Sequence, residues 1–282
     1  METNIWYQLK TKSLGFAINT LGYFFPQQSS KLAYKFFSQP REGKINPSQL
    51  PPVLLQAERS SIDTGDHNIE TYVWKGNDKK ILFIHGWESN SSRWGDLVQK
   101  LLQTKATLIS IDAPAQGLSS GVELNVIDYA KQMDTIINMY QPQVLIGHSM
   151  GGAACMYYQT NYAATCVEQM VIMGAPAEFN SLGNYYKNLV GMSNKSYERF
   201  LTFIENRFKL PKNQAIKTIF ASNFTAKGLI IHDAQDHIVH PEQAKKLNTI
   251  WKNSELFQTD GLGHALQGDP IFEKIFQFIS QA

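Results

Sequence analysis

Ser149 stands in the run Gly147-His148-Ser149-Met150-Gly151, directly after the apolar stretch Val144-Leu145-Ile146 and directly before Gly152-Ala153-Ala154. A serine between two glycines is a weak signal by itself. Its setting strengthens it. Where a strand turns sharply into a helix, the residue at the corner is held in a strained backbone with its side chain projecting from the turn. A Cβ at either glycine would run into neighbouring backbone. The positive end of the following helix favours negative charge at that corner. The chemistry this suits is attack of the hydroxyl on a carbonyl, with the resulting oxyanion held by nearby amides.

A serine hydroxyl is a poor nucleophile at neutral pH unless a base takes its proton and an acid orients the base. Both types follow in the chain. His232-Asp233-Ala234-Gln235-Asp236-His237 comes after the apolar run Gly228–Ile231, and Gly261-Leu262-Gly263-His264 comes after the run Glu255–Gln258. His264 is the expected base. Asp236 is the expected acid, with Asp233 three residues earlier open as the alternative. The expected oxyanion donors are the backbone amides of Met150 and of Trp87, the latter in His85-Gly86-Trp87 after the run Ile81–Ile84. His232, His237 and His240 with two aspartates offer metal-ligand types, but their spacing matches no helical ligand pair, so neither a metal nor a cofactor is expected. His148 reads as a packed neighbour of the serine, and Asp112, before Pro114, as a residue that fixes a turn.

The elements that must position these residues follow from periodicity. Ile69–Trp74 alternates as an outer strand should, whereas Ile81–Ile84, Thr107–Ile111 and Val144–Ile146 are continuous apolar runs of the kind buried on both faces of a sheet. Gln169–Met173, Gly228–Ile231 and Glu255–Gln258 complete the series, with helical patterns at about 92–103, 123–139, 151–160, 241–251 and 270–280 between them. The alternation predicts a mostly parallel, twisted sheet with helices on both faces, an α/β fold with its site at the carboxyl ends of the strands. Between Met173 and Lys227 no strand appears. Tyr185, Tyr186, Tyr197, Phe200, Phe203 and Phe208 recur there at helical spacings, which predicts a helical cap inserted over residues 177–223. The organisation expected is a helical extension over 1–50, a core over 51–176 and 224–282, and that cap.

The ordered set His85-Gly86-Trp87, Asp112-Ala113-Pro114, Gly147-His148-Ser149-Met150-Gly151-Gly152, Asp236 and Gly263-His264 resembles the α/β-hydrolase superfamily over about residues 68–282. It is similar to bacterial members of the esterase or lysophospholipase-like kind. The resemblance implies an α/β-hydrolase fold and an acyl-enzyme on Ser149 formed from an ester-like substrate with an apolar group. Thioester hydrolysis, acyl transfer and carbon–carbon bond hydrolysis use the same triad, and a non-catalytic ligand-binding homologue is the rival from another class. The family's Gly-x-x-Asp pattern favours Asp236, with Asp233 at its glycine position. One departure is visible: the common Asp-x-Pro-Gly-His-Gly reads Asp112-Ala113-Pro114-Ala115-Gln116-Gly117 here.

Composition sets the remaining limits. The 282 residues are 43% hydrophobic and 18% charged with a net charge of +2, which points to a globular chain with no field suited to nucleic acid. Two cysteines make no disulfide framework, and no apolar run is long enough to span a bilayer, so a cytoplasmic protein is expected. Charge is uneven. Residues 1–50 carry Lys10, Lys12, Lys31, Lys35, Arg41 and Lys44 against Glu2 and Glu42. With its aromatics, this segment is expected either to pack its apolar face on the main domain, the favoured reading, or to touch a membrane peripherally. The oligomeric state is left open.

Overall fold

The continuous apolar runs become strands of one sheet in the computed structural model, which describes residues 5–162, 164–213 and 222–281. In chain order the elements are α1 (Ile5–Phe24), α2 (Pro26–Ser38), α3 (Pro52–Leu55), β1 (Glu58–Asp63), β2 (Asn68–Trp74), β3 (Asn77–Ile84), α4 (Gly95–Leu101), β4 (Ala106–Ile111), α5 (Val126–Tyr140), β5 (Val144–His148) and α6 (Met150–Asn161). They continue with β6 (Gln169–Met173), α7 (Phe179–Val190), α8 (Asn194–Arg207), β7 (Lys227–Asp233), α9 (Glu242–Ile250), β8 (Ser254–Thr259) and α10 (Asp269–Ser280). Two compact units result. One combines residues of Met1–Gln39 with residues of Glu178–Ile219, and the other contains the sheet.

The sheet runs β1-β2-β4-β3-β5-β6-β7-β8, with β1 and β2 antiparallel to their neighbours and every pair from β4 onward parallel. Alternate side chains serve opposite faces. Phe83, Ile146, Val171 and Ile231 bury against Leu97 and Leu101 of α4 and Ile275 and Phe278 of α10, while α6 packs on β3, β5 and β6 from the other side. Every residue of β5 and β6 is buried, as continuous apolar runs require. The site of strand-order reversal lies beside β3 and β5, so the turns after these strands open onto one edge.

Two expectations change. Ile69–Trp74 is not the outermost strand: β1 pairs along its whole length, and β2 is buried at all but two positions. The sequence of β1, Glu-Arg-Ser-Ser-Ile-Asp, is polar on both faces and almost wholly exposed, so no hydrophobic period marks it. The N-terminal helices, for their part, find their partners in α7 and α8. Ile18, Ala33 and Tyr34 share a core with Tyr186, Val190, Tyr197, Phe200 and Ile204. The Tyr186 hydroxyl donates to the Ala33 carbonyl at 2.9 Å, and Asn19 bonds Gly191 O and Ser193 N at 3.0 and 2.9 Å. Of the stretch 177–223, residues 214–221 lie outside the described residues. Among the described residues no helix is long and apolar enough to cross a membrane, and both cysteines are free thiols.

Candidate active site

The corner at Ser149 has the backbone that its sequence demands. Ser149 sits at φ 54°, ψ −122°, between the end of β5 and the first residue of α6. A non-glycine residue there is strained. The flanking glycines are needed for space. A Cβ on Gly147 would come within 2.7 Å of Gly152 Cα, and one on Gly151 within 2.2 Å of the Ile84 carbonyl oxygen. The strand ends are laced in series. The Ser149 amide donates to Met173 O at 2.8 Å, Gly174 to Ile231 O at 2.9 Å, and Ala234 to Thr259 O at 2.8 Å. Loops from β5, β6, β7 and β8 are therefore fixed relative to one another before any side chain is considered.

Those loops bring three of the expected side chains together. Ser149 Oγ lies 2.9 Å from His264 Nε2, and His264 Nδ1 lies 2.8 Å from Asp236 Oδ2. A carboxylate accepts, so Nδ1 carries the proton and Nε2 is left to accept from the serine hydroxyl. Asp236 Oδ1 accepts the amides of Ile238 and Val239, each at 2.9 Å. Burial by itself would raise its pKa. Hydrogen bonds from His232 and His264 and from the Val239 amide outweigh it and hold the carboxyl well below the usual range. Asp236 is thus a fixed anion against the imidazole.

Asp233 is placed elsewhere. Its Oδ2 accepts from the Thr259 hydroxyl at 2.7 Å and the Leu262 amide at 2.9 Å, and its Oδ1 accepts from the Gln235 amide at 2.9 Å. The loop histidines also separate. His232 is buried with Nε2 2.8 Å from Val239 O, while His237 and His240 are exposed. Among the described residues no His, Cys, Asp and Glu side chains form a group able to hold a metal ion.

The loop after β3 lies directly on the serine. A Cβ on Gly86 would fall 2.9 Å from both Ser149 Cβ and His148 O, so only glycine lets the chain carry Trp87 past this point. His85, fully buried, sets the turn: its Nε2 accepts the Ala113 amide at 2.8 Å and its Nδ1 donates to Gly86 O at 2.9 Å. Among the described residues, neither the Trp87 amide nor the Met150 amide donates to a protein group. Asp112 is a buried hub. It accepts from the Ser91 amide, the Tyr72 hydroxyl and the Leu118 amide at 2.8 to 3.0 Å. Where the family pattern has Gly-His, Ala115 keeps a left-handed backbone at φ 65°, and the buried Gln116 accepts the Ser89 amide at 2.7 Å. Gln116, in the loop after β4, thus braces the loop after β3.

One residue in the site carries no sequence signal. Arg93, after the loop from β3, donates to His148 Nδ1 at 2.8 Å and to Ala265 O at 3.0 Å, and lies over the Trp94 ring. His148 Nε2 in turn donates to His264 O at 2.8 Å. His148, expected to be a packed neighbour, therefore also ties the corner after β5 to the backbone of His264. Only proximity across 55 and 172 residues reveals the arginine, and no local pattern encodes that.

Comparison with known proteins agrees with this fold. A family model described as "Alpha/beta hydrolase family" matches residues 81–272. The chain belongs to the alpha/beta hydrolase family. Its fold is shared with many solved structures. A meta-cleavage product hydrolase from Pseudomonas fluorescens IP01 is 18% identical over 80% of this chain and 99% of that one, with a TM-score of 0.60. Alpha/beta hydrolase domain-containing protein 10 from mouse is 17% identical over 80% and 98%, with a TM-score of 0.64. The esterase RhEst1 from Rhodococcus sp. ECU1013 is 20% identical over 80% and 98%, with a TM-score of 0.57. No curated protein sequence matches the chain.

Proposed function

We propose that the protein is a serine hydrolase that cleaves a carboxylic ester through an acyl-enzyme on Ser149. The observation that carries this reading is the unbroken hydrogen-bonded chain from Ser149 Oγ through both nitrogens of His264 to Asp236. His264 Nε2 takes the hydroxyl proton as Oγ attacks the carbonyl carbon. Asp236 stabilises the imidazolium and fixes the tautomer. The oxyanion is received by the amides of Trp87 and Met150, a contribution of roughly 100- to 1000-fold per donor. The imidazolium then protonates the leaving alcohol. Water, deprotonated by His264, attacks the acyl-enzyme and releases the acid. No cofactor enters this sequence.

A fluorophosphonate probe tests the nucleophile. Labelling of the wild type that is lost in Ser149→Ala is expected. No labelling under conditions that label a control esterase removes the enzymatic reading, and labelling that survives Ser149→Ala moves the nucleophile elsewhere. A meta-cleavage product hydrolase and an esterase both stand among the structural neighbours. A panel of acyl esters, thioesters and vinylogous diketones, each checked against Ser149→Ala, ranks the bond types.

A further inference from the structure

The face of α1 opposite its buried side has an unusual composition. Ile18 and Gly22 point into the helical unit, while Phe16, Tyr23 and Phe24 are 75%, 79% and 68% exposed, and Phe25, in the corner before α2, is 55% exposed. At 100° per residue Lys12, Phe16, Thr20 and Tyr23 fall on one stripe, with Phe24 at its margin. The Tyr23 and Phe24 rings pack edge to face, with centroids 5.2 Å apart. Soluble chains seldom leave several large aromatics in open water without a surface to receive them.

Charge says which surface. Between Glu2 and Glu42 the chain has no acidic residue, and α1 and α2 carry Lys10, Lys12, Lys31 and Lys35. Lys31 and Lys35 are exposed one turn apart on α2, and Lys10 is exposed at the other end of α1. A second copy docked symmetrically on this face would set these cations against themselves. An anionic bilayer surface satisfies both features, because rings enter the interfacial layer while lysines meet the headgroups. Since no helix among the described residues can cross a bilayer, the contact is peripheral.

We propose that the exposed aromatics of α1, together with the exposed lysines of α1 and α2, dock the protein on an anionic lipid surface. The proposal is independent of the hydrolase reading, since its residues belong to a different compact unit from Ser149, Asp236 and His264. Substitutions rather than truncation are needed, because Ile18, Ala33 and Tyr34 of the same helices form part of the unit's core.

The test is co-sedimentation of the full chain with vesicles of phosphatidylglycerol mixed with phosphatidylcholine, against vesicles of phosphatidylcholine alone, at low and high salt. The wild type is expected to pellet with the anionic vesicles at low salt only. Two variants, F16S/Y23S/F24S and K31E/K35E, are each expected to weaken this binding about tenfold or more. Their melting temperatures and probe labelling should match the wild type. Absence of pelleting by the wild type overturns the proposal. So does equal binding to both vesicle types, or wild-type binding by both variants. A gel-filtration dimer that the triple aromatic variant abolishes, without any vesicle binding, assigns the face to self-association instead.

Discussion

Asp233 accepts the Leu262 amide at 2.9 Å and so ties the end of β7 to the loop that carries His264. Both of its oxygens are engaged in that bracing, whereas Asp236 offers Oδ2 to the imidazole. Replacing each with asparagine separates the two tasks. Asp236→Asn removes the anion that fixes the tautomer and is expected to lower kcat by about ten-thousand-fold. Asp233→Asn is expected to cost about 1–3 kcal/mol of stability by weakening buried hydrogen bonds, with a far smaller loss of kcat. Steady-state kinetics and thermal melting of the two variants check this, and the reverse ranking of kcat gives the acid's role to Asp233.

Gly86 offers a way to move the Trp87 amide without touching it. The Cβ of Gly86→Ala must displace either the loop or the serine, since it would lie 2.9 Å from Ser149 Cβ. An amide aimed at developing charge helps the transition state more than the ground state. The expected result is a fall in kcat of roughly 100-fold with KM little changed. An equal kcat in a folded variant would show that the Trp87 amide is not an oxyanion donor.

Arg93 and His148 pin two successive carbonyls beside the imidazole, Ala265 O and His264 O. Arg93→Met keeps the length of the side chain and loses both donors. His264 would then hold its ring less accurately against Ser149, and misplacement on the scale of an ångström costs about 100-fold in rate. The loss is expected in kcat and in the rate of probe labelling. A change confined to KM would identify Arg93 as a binding residue.

How much of this was legible in the sequence depends on which physical signal each part leaves. Ile81–Ile84, Val144–Ile146 and Gln169–Met173 are apolar on both faces, and such runs have few places to go except the middle of a parallel sheet. Strand β1 was not legible because an edge strand paired through its backbone needs no apolar side chain. The periodicity of α1 and α2 reveals that they have an apolar face. It does not reveal that the receiving surface is α7 and α8, which are distant in the chain. In the site, Ser149 and His264 follow from the order of strand ends. The choice between Asp233 and Asp236 turns on which way each side chain points out of one short loop, and Arg93 acts wholly through contacts remote in sequence.

Two of the buried histidines beside the site, His85 and His148, make stability depend on pH in a definite window. Burial pushes His85 from its ordinary value of 6.5 down to about 4. Burial, together with the Arg93 cation, holds His148 well below 6.5. In the unfolded chain both rings take a proton as pH falls through about 6.5, while in the folded chain they resist it. The unfolded state then binds more protons, so stability falls as pH drops from there toward about 4, with His85 accounting for up to roughly 3 kcal/mol. Asp236 acts in a lower window: its depressed pKa stabilises the fold above the unfolded carboxylate value and loses that effect only below about pH 4. Urea unfolding across about pH 7.5 to 4.5 should give midpoints that decline from near pH 6.5 with an unchanged slope. A flat profile over that range would mean that His85 and His148 titrate in the folded protein as they do in water.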